Sequence, residues 1–145
     1  MTQHFRMDWL NTFPLKDVLT FIRAKNFDAS ITASDIAQEI NHHMEAIMKG
    51  EQLTYGISER GTNVFVGIIK LVFEGDKVHF FYDVNVQFLD DWVQIEIFDY
   101  IFPFLKENFH IKEIWAKPNE INTSFSIYLH YGFTRKPLRV FHCKL

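Results

Sequence analysis

Three apolar segments rich in β-branched and aromatic residues follow one another closely at 53–58, 64–73 and 77–86. Each reads as a strand, and the links between them are only a few residues long. Parallel neighbours need a crossover of about a dozen residues, so this trio must be an antiparallel meander. Its second link is Gly75-Asp76, a two-residue hairpin signal. The period then changes. Val93, Ile97, Ile101 and Leu105 recur every four residues, which predicts a helix over 92–108. A short apolar strand follows at 111–116. Because a helical crossover joins them, this strand is expected to lie parallel to 77–86.

The flanking segments complete the pattern. Residues 5–10 suit a first strand. Pro14 suits the first turn of a helix with Thr12 as its N-cap, and Val18, Phe21 and Ile22 share one face of it. A second helix is expected from about Ser34, with Ile36, Ile40, Met44 and Met48 as its stripe and Gly50 as its stop. Pro103 is expected to kink or shorten the third helix. A turn at 118–122, a short helix at 124–131 closed by Gly132, and a last strand at 139–144 follow. The order β-α-α-β-β-β-α-β-α-β implies one α/β domain over 1–145. Its sheet is mixed and mostly antiparallel, with one parallel strand pair, and helices flank it.

Composition narrows the function. A chain that is 48% hydrophobic and 23% charged can bury an ordinary core, made unusually aromatic by 16 Phe and 5 Tyr. A net charge of -3 offers no basic footprint, so neither nucleic acid nor an anionic membrane is expected as a partner. The single cysteine, Cys143, excludes an internal disulfide framework and a Cys-based zinc cluster. His42 and His43 diverge by about 100° on a helix, and the other histidines are scattered, so no metal site is expected. With no membrane span and no secretory signal in the sequence, a cytoplasmic location is expected.

The segment from Ser124 to Phe133 carries a small residue, then Tyr128, three further residues and Gly132-Phe133. With the element order, this resembles the GNAT superfamily of acyl-CoA-dependent N-acyltransferases. The resemblance implies a GNAT-like sheet whose parallel strands splay to admit the donor. It implies acetyl-CoA as co-substrate and a primary amine as acceptor. By resemblance, residues 82–86, with Val84 and Val86, flank the acyl group. Asp91, Trp92, Val93 and Gln94 open the helix that faces the pyrophosphate, where free N–H groups and the helix dipole favour an anion. Tyr128 matches the tyrosine that protonates the departing thiolate. Asn122 stands near the family's cofactor-contacting asparagine, one residue nearer the tyrosine than usual. A homodimer is left open.

His79 and Asp83 are candidates for the base that the acceptor amine needs. Their spacing of four puts them on one face of the strand. The plainer reading is a solvent-facing polar pair. The family's phosphate loop has Gln or Arg, two residues, Gly, one residue, then Gly or Ala. Here Leu89-Asp90-Asp91-Trp92-Val93-Gln94 occupies that place, and no glycine lies between Gly75 and Gly132. Asp90 and Asp91 add negative charge beside a pyrophosphate. Asp91 and Gln94 have the spacing of a capping box that would occupy the same N–H groups. These departures keep an alternative in view: a catalytically silent GNAT-like module that binds a protein or a small ligand.

Overall fold

The computed structural model describes residues 2–26, 28–116, 125–136 and 140–144. Its strands are β1 (Phe5–Trp9), β2 (Gln52–Glu59), β3 (Phe65–Glu74), β4 (Lys77–Val84), β5 (Glu113–Ala116), β6 (Thr134–Lys136) and β7 (Val140–Lys144). Its helices are α1 (Leu15–Asn26), α2 (Ala33–Met48), α3 (Asp91–Asn108) and α4 (Phe125–His130). The strands form one seven-stranded sheet in the order β1-β2-β3-β4-β5-β7-β6. β4 and β5 pair in parallel, and the other pairings are antiparallel.

The meander forms as its short links require. Glu74 pairs with Lys77 across Gly75-Asp76, and Gly75 takes a positive φ of 60° that a side chain would resist. On one side of the sheet, α3 buries Val93, Ile97, Phe98, Ile101, Phe102 and Leu105. They join Val78, Phe80, Tyr82 and Val84 of β4 in the main core. On the other side, Val18 and Phe21 of α1 and Ile36 of α2 pack with Leu10, Phe13 and Phe65. Full burial of each such side chain contributes roughly 1.5–3 kcal/mol, so these two clusters decide which face of each element turns inward.

Several expectations are corrected by local physics. Thr12 caps nothing: its hydroxyl donates to the Trp9 carbonyl, and α1 begins after Pro14. α2 starts at a Thr32–Asp35 capping box. Only Ile36 of its four-residue stripe is buried, and Met48 is 86% exposed. Steps of four overshoot a helical turn by about 40°, so the stripe winds off the core. Pro103 does not shorten α3, which runs its full 18 residues. Pro103 faces solvent, where the carbonyl it leaves unpaired can be hydrated. β4 ends at Val84 and gives way to a 3-10 turn at Val86–Phe88. β6 was not anticipated from the sequence. The expected turn at 118–122, with Asn122, lies outside the described residues. Among the described residues, no helix is long and apolar enough to cross a membrane.

Candidate functional site

Among the described residues, β4 and β5 pair from Lys77↔Glu113 to Phe80↔Ala116. Past Phe80, β4 continues to Val84 with no strand beside it on that edge among the described residues. The parity of the ladder shows what this leaves open. Asn85 N–H donates to the Val66 carbonyl at 2.8 Å, in register with the pairs Asp83↔Ile68 and Phe81↔Lys70. Those residues turn their backbone groups to β3. Tyr82 and Val84 turn theirs the other way, towards the β5 side of β4. Gly67, opposite Val84, lets β3 approach closely. A Cβ there would overlap the Asp83 carbonyl oxygen and lie 2.9 Å from Val84 Cα.

The start of α3 lies just beyond this edge. Asp90 is its N-cap residue and makes no side-chain cap bond. The Asp91–Gln94 capping box does not form. Gln94 is instead fully buried, and its Nε2 donates to the Phe88 carbonyl at 3.0 Å. Val93 and Gln94 N–H groups donate to Asp90 O. The N–H groups of Asp91 and Trp92 have no acceptor among the described residues. Trp92 stacks on Phe5 with ring centroids 5.9 Å apart and meets His4 edge-on, so its indole points towards β1 and leaves the β4–β5 gap clear.

One turn further along α3, Glu96 grips the N-terminal segment. It accepts from Thr2 Oγ1 at 2.7 Å and from His4 N–H at 2.9 Å, and its other oxygen meets His4 Nδ1 at 2.6 Å. Burial alone would raise the Glu96 pKa. The bonds from His4 and Thr2 outweigh it and hold the carboxyl below the usual glutamate range.

Behind the open edge sits a buried polar group of three side chains. Tyr82 is 6% exposed, Gln94 0% and Tyr128 1%. Phe98 packs against both tyrosines, at 5.0 Å from Tyr82 and 5.5 Å from Tyr128. Tyr82 Oη and Gln94 Oε1 are both sealed from solvent, and the two side chains lie within hydrogen-bond reach of one another. Burial drives the Tyr82 hydroxyl well above the ordinary tyrosine range, and Tyr128 and the Asp83 carboxylate add to the effect. Tyr82 therefore stays protonated and remains a donor.

On the opposite face, a cleft of about 760 Å³ opens between α1, α2 and the strands β3 and β4. Phe21, Ile36, Ile68 and Phe81 give it apolar walls. Four carboxylates line it, Asp28, Asp35, Glu39 and Asp83, against two lysines, Lys25 and Lys70. Lys25 Nζ lies 3.3 Å from Asp83. Tyr82 also borders this cleft, while its ring packs on the far side of the sheet. Its backbone is thus the point at which cleft, open edge and buried cluster meet.

No protein-family model matches the sequence, and no curated protein matches it. Solved structures do. A putative ribosomal-protein-serine acetyltransferase from Vibrio cholerae superposes with a TM-score of 0.83 at 16% identity, covering 100% of this chain and 96% of that one. A nucleotide-linked sugar GNAT, FdhC, gives a TM-score of 0.74 at 10% identity over 99% of this chain and 87% of its own. The spermidine N-acetyltransferase from Vibrio cholerae, solved with CoA and spermine, gives 0.68 at 10% identity over 97% and 95% of the two chains. The chain has the GNAT fold.

Within that fold the sequence-derived candidates fall into separate places. Val84 and Tyr82 edge the gap, whereas Val86 lies beyond the strand and is 68% exposed. Asp91 and Trp92 stand at the exposed start of α3, while Val93 and Gln94 turn into its buried face. Tyr128 is buried against α3 rather than presented at a surface. Asp83 lines the cleft. His79 sits four residues back, about 13 Å along the strand, and its Nε2 meets Glu74 at 2.9 Å. Asn122 lies outside the described residues. Sequence reasoning placed Tyr82 only within the 82–86 stretch beside the acyl group, and gave Gln94 a capping-box spacing that the structure does not use. The signal was there: Gln94 is a polar residue on the apolar stripe of α3, and Tyr82 alternates with Phe80 and Val84 on the core face of β4.

Proposed function

We propose that this chain is an N-acyltransferase that moves an acetyl group from acetyl-CoA to a primary amine. The observation that supports the reading is the parallel β4–β5 pair, with the Tyr82 and Val84 backbone groups turned towards the β5 side of β4 near the start of α3. The unpaired Asp91 and Trp92 N–H groups suit a pyrophosphate. Acetyl-CoA would supply an activated thioester. The Val84 or Tyr82 N–H would polarise its carbonyl. Tyr128 keeps the role that the resemblance assigns it, donation of a proton to the departing thiolate.

The front cleft supports an amine acceptor. Its four carboxylates outnumber its two lysines, which favours a cationic guest. Asp83 borders it next to Tyr82, where a base acting directly or through water could take the amine proton. His79 does not border the cleft, so Asp83 is the stronger candidate of the pair. Spermine beside CoA in a structural neighbour is in keeping with such an acceptor.

Calorimetric titration with acetyl-CoA tests the reading. A bound donor also raises the melting temperature according to RT ln(1+[L]/Kd), so about 2.7 kcal/mol is expected at a hundredfold excess over Kd. No heat and no shift at millimolar acetyl-CoA would refute it. One observation favours a second reading, a module that keeps the fold without the chemistry. Asp90 and Asp91 place two exposed carboxylates at the end of α3 where a pyrophosphate would sit. In that case Tyr128→Phe would leave the protein's biological effect intact.

A further inference from the structure

We propose that Lys25 is itself an acceptor: its Nζ takes an acetyl group in cis from bound acetyl-CoA, and Asp83 receives its proton. The inference rests on the reading of the chain as an acetyl-CoA-dependent N-acyltransferase and adds to it a modification site at one residue.

Lys25 stands in the last turn of α1 and lines the front cleft. Its Nζ lies 3.3 Å from Asp83 Oδ1. An acceptor must bring a primary amine to the base that deprotonates it. Lys25 is such an amine, and it already stands beside the candidate base. The other carboxylates of the cleft are engaged elsewhere. Asp28 accepts from Ser30 N–H and Oγ, Asp35 closes the capping box with Thr32, and Glu39 lies 3.8 Å from His43 Nε2. Lys70, the other lysine of the cleft, holds its Nζ over the Phe81 ring at 4.8 Å from the centroid. Of the two cleft lysines, Lys25 is therefore the one that meets Asp83.

The surroundings suit an acceptor better than a solvated surface pair. The Lys25 side chain is only 14% exposed, and its Nζ lies 5.7 Å from the Phe21 ring centroid. Its flexible four-carbon stem lets Nζ shift without moving α1. Asp83 sits between Tyr82 and Val84, the two residues whose backbone the proposed function sets beside the thioester carbonyl. The step balances. One proton of the Lys25 ammonium passes to Asp83 and on to solvent. The freed lone pair of Nζ attacks the thioester carbonyl carbon, and a C–N bond forms as the C–S bond breaks. The second proton that the nitrogen sheds balances the one that the departing thiolate gains. Lys25 ends as a neutral amide, and Asp83 has lost this cation from its side.

The test incubates the purified chain with acetyl-CoA and follows each lysine by peptide mass spectrometry. Exposed Lys16, Lys49 and Lys106 are the internal controls. Lys25 is expected to gain an acetyl group faster than these, although it is the more shielded. At saturating acetyl-CoA its rate constant should not change when the protein is diluted. Asp83→Asn should slow Lys25 acetylation by about a hundredfold or more, as loss of a general base dictates, and leave the exposed lysines at their rates. A readout without transfer chemistry comes from CoA alone, which should slow the labelling of Lys25 by a small amine-reactive ester and leave Lys49 unaffected. The wild-type rates, the dilution series and the labelling need no variant to fold. Lys25 acetylated no faster than Lys49 would overturn the inference. So would a rate constant that falls on dilution, labelling that CoA does not slow, or an Asp83→Asn protein that binds acetyl-CoA and acetylates Lys25 as wild type does. A wild-type chain that binds no acetyl-CoA in the calorimeter would refute the proposed function and this inference with it. One that binds acetyl-CoA and leaves Lys25 unmodified would refute this inference alone.

Discussion

Gly67→Ala is the sharpest perturbation of the proposed donor edge. A Cβ at this position would overlap the Asp83 carbonyl oxygen and approach both Val84 Cα and Cγ1 to 2.9 Å. Two of these three obstacles are backbone, so no rotamer change relieves them. Overpacking of this kind costs about 1–3 kcal/mol. The loss of a glycine from the unfolded chain returns about 0.4–1 kcal/mol. The net destabilisation is therefore about 1–2 kcal/mol. At roughly 2–4 °C per kcal/mol for a chain of this length, the melting temperature should fall by about 2–8 °C. The same displacement moves Val84 and the edge it presents, so acetyl-CoA binding should fall beyond what unfolding explains. Gly50→Ala is the control. Its φ of 72° makes alanine costly by about 1–2 kcal/mol, yet nothing lies within 4 Å of the added carbon. It should melt lower and still bind acetyl-CoA as wild type does. Calorimetric melts and titrations on the three proteins decide the matter. A Gly67→Ala protein as stable as wild type would refute the steric reasoning. One that melts lower yet binds acetyl-CoA normally would refute the placement of the donor against this end of β4.

Two further outcomes follow from charges on α3. Replacing Asp90 and Asp91 by asparagine should tighten acetyl-CoA binding by about fivefold for each like-charge contact relieved, with the gain shrinking in high salt. The same change should slightly lower the melting temperature, because acidic groups favour a helix N-terminus; titrations at two salt concentrations and a melt check both signs. Glu96 has a folded-state pKa below its ordinary value, so its clamp on Thr2 and His4 stabilises the fold above the usual glutamate range. That contribution is lost as pH falls through the depressed folded-state value. The melting-temperature difference between wild type and Glu96→Gln should thus be present at neutral pH and vanish in acid, and a constant difference across the range would disprove the assignment.

The meander and the crossover were legible because link length alone dictates strand direction, whatever the side chains do. The hairpin at Gly75-Asp76 was legible for the same local reason. Thr12 and the Asp91–Gln94 pair misled because capping depends on where a helix actually starts. Pro14 and Asp90 set those starts, and a shift of one or two residues changes which side chain can reach a free N–H. The stripe of α2 misled because Met48 shares a spacing with Ile36 without sharing a neighbour. The outward-facing backbone of Tyr82 and Val84 was singled out only through resemblance. The Tyr82–Gln94 pair needed coordinates, since two polar residues on separate apolar stripes meet only when the stripes face each other.

The parallel ladder between β4 and β5 also has a mechanical consequence. Among the described residues, it is the strand pairing that joins the panel β1-β2-β3-β4 to the panel β5-β7-β6. Amide protons of the smaller panel should exchange with solvent sooner than those of β3, and denaturant should loosen that side first. The seam most prone to open is then the one beside which the proposed donor edge lies.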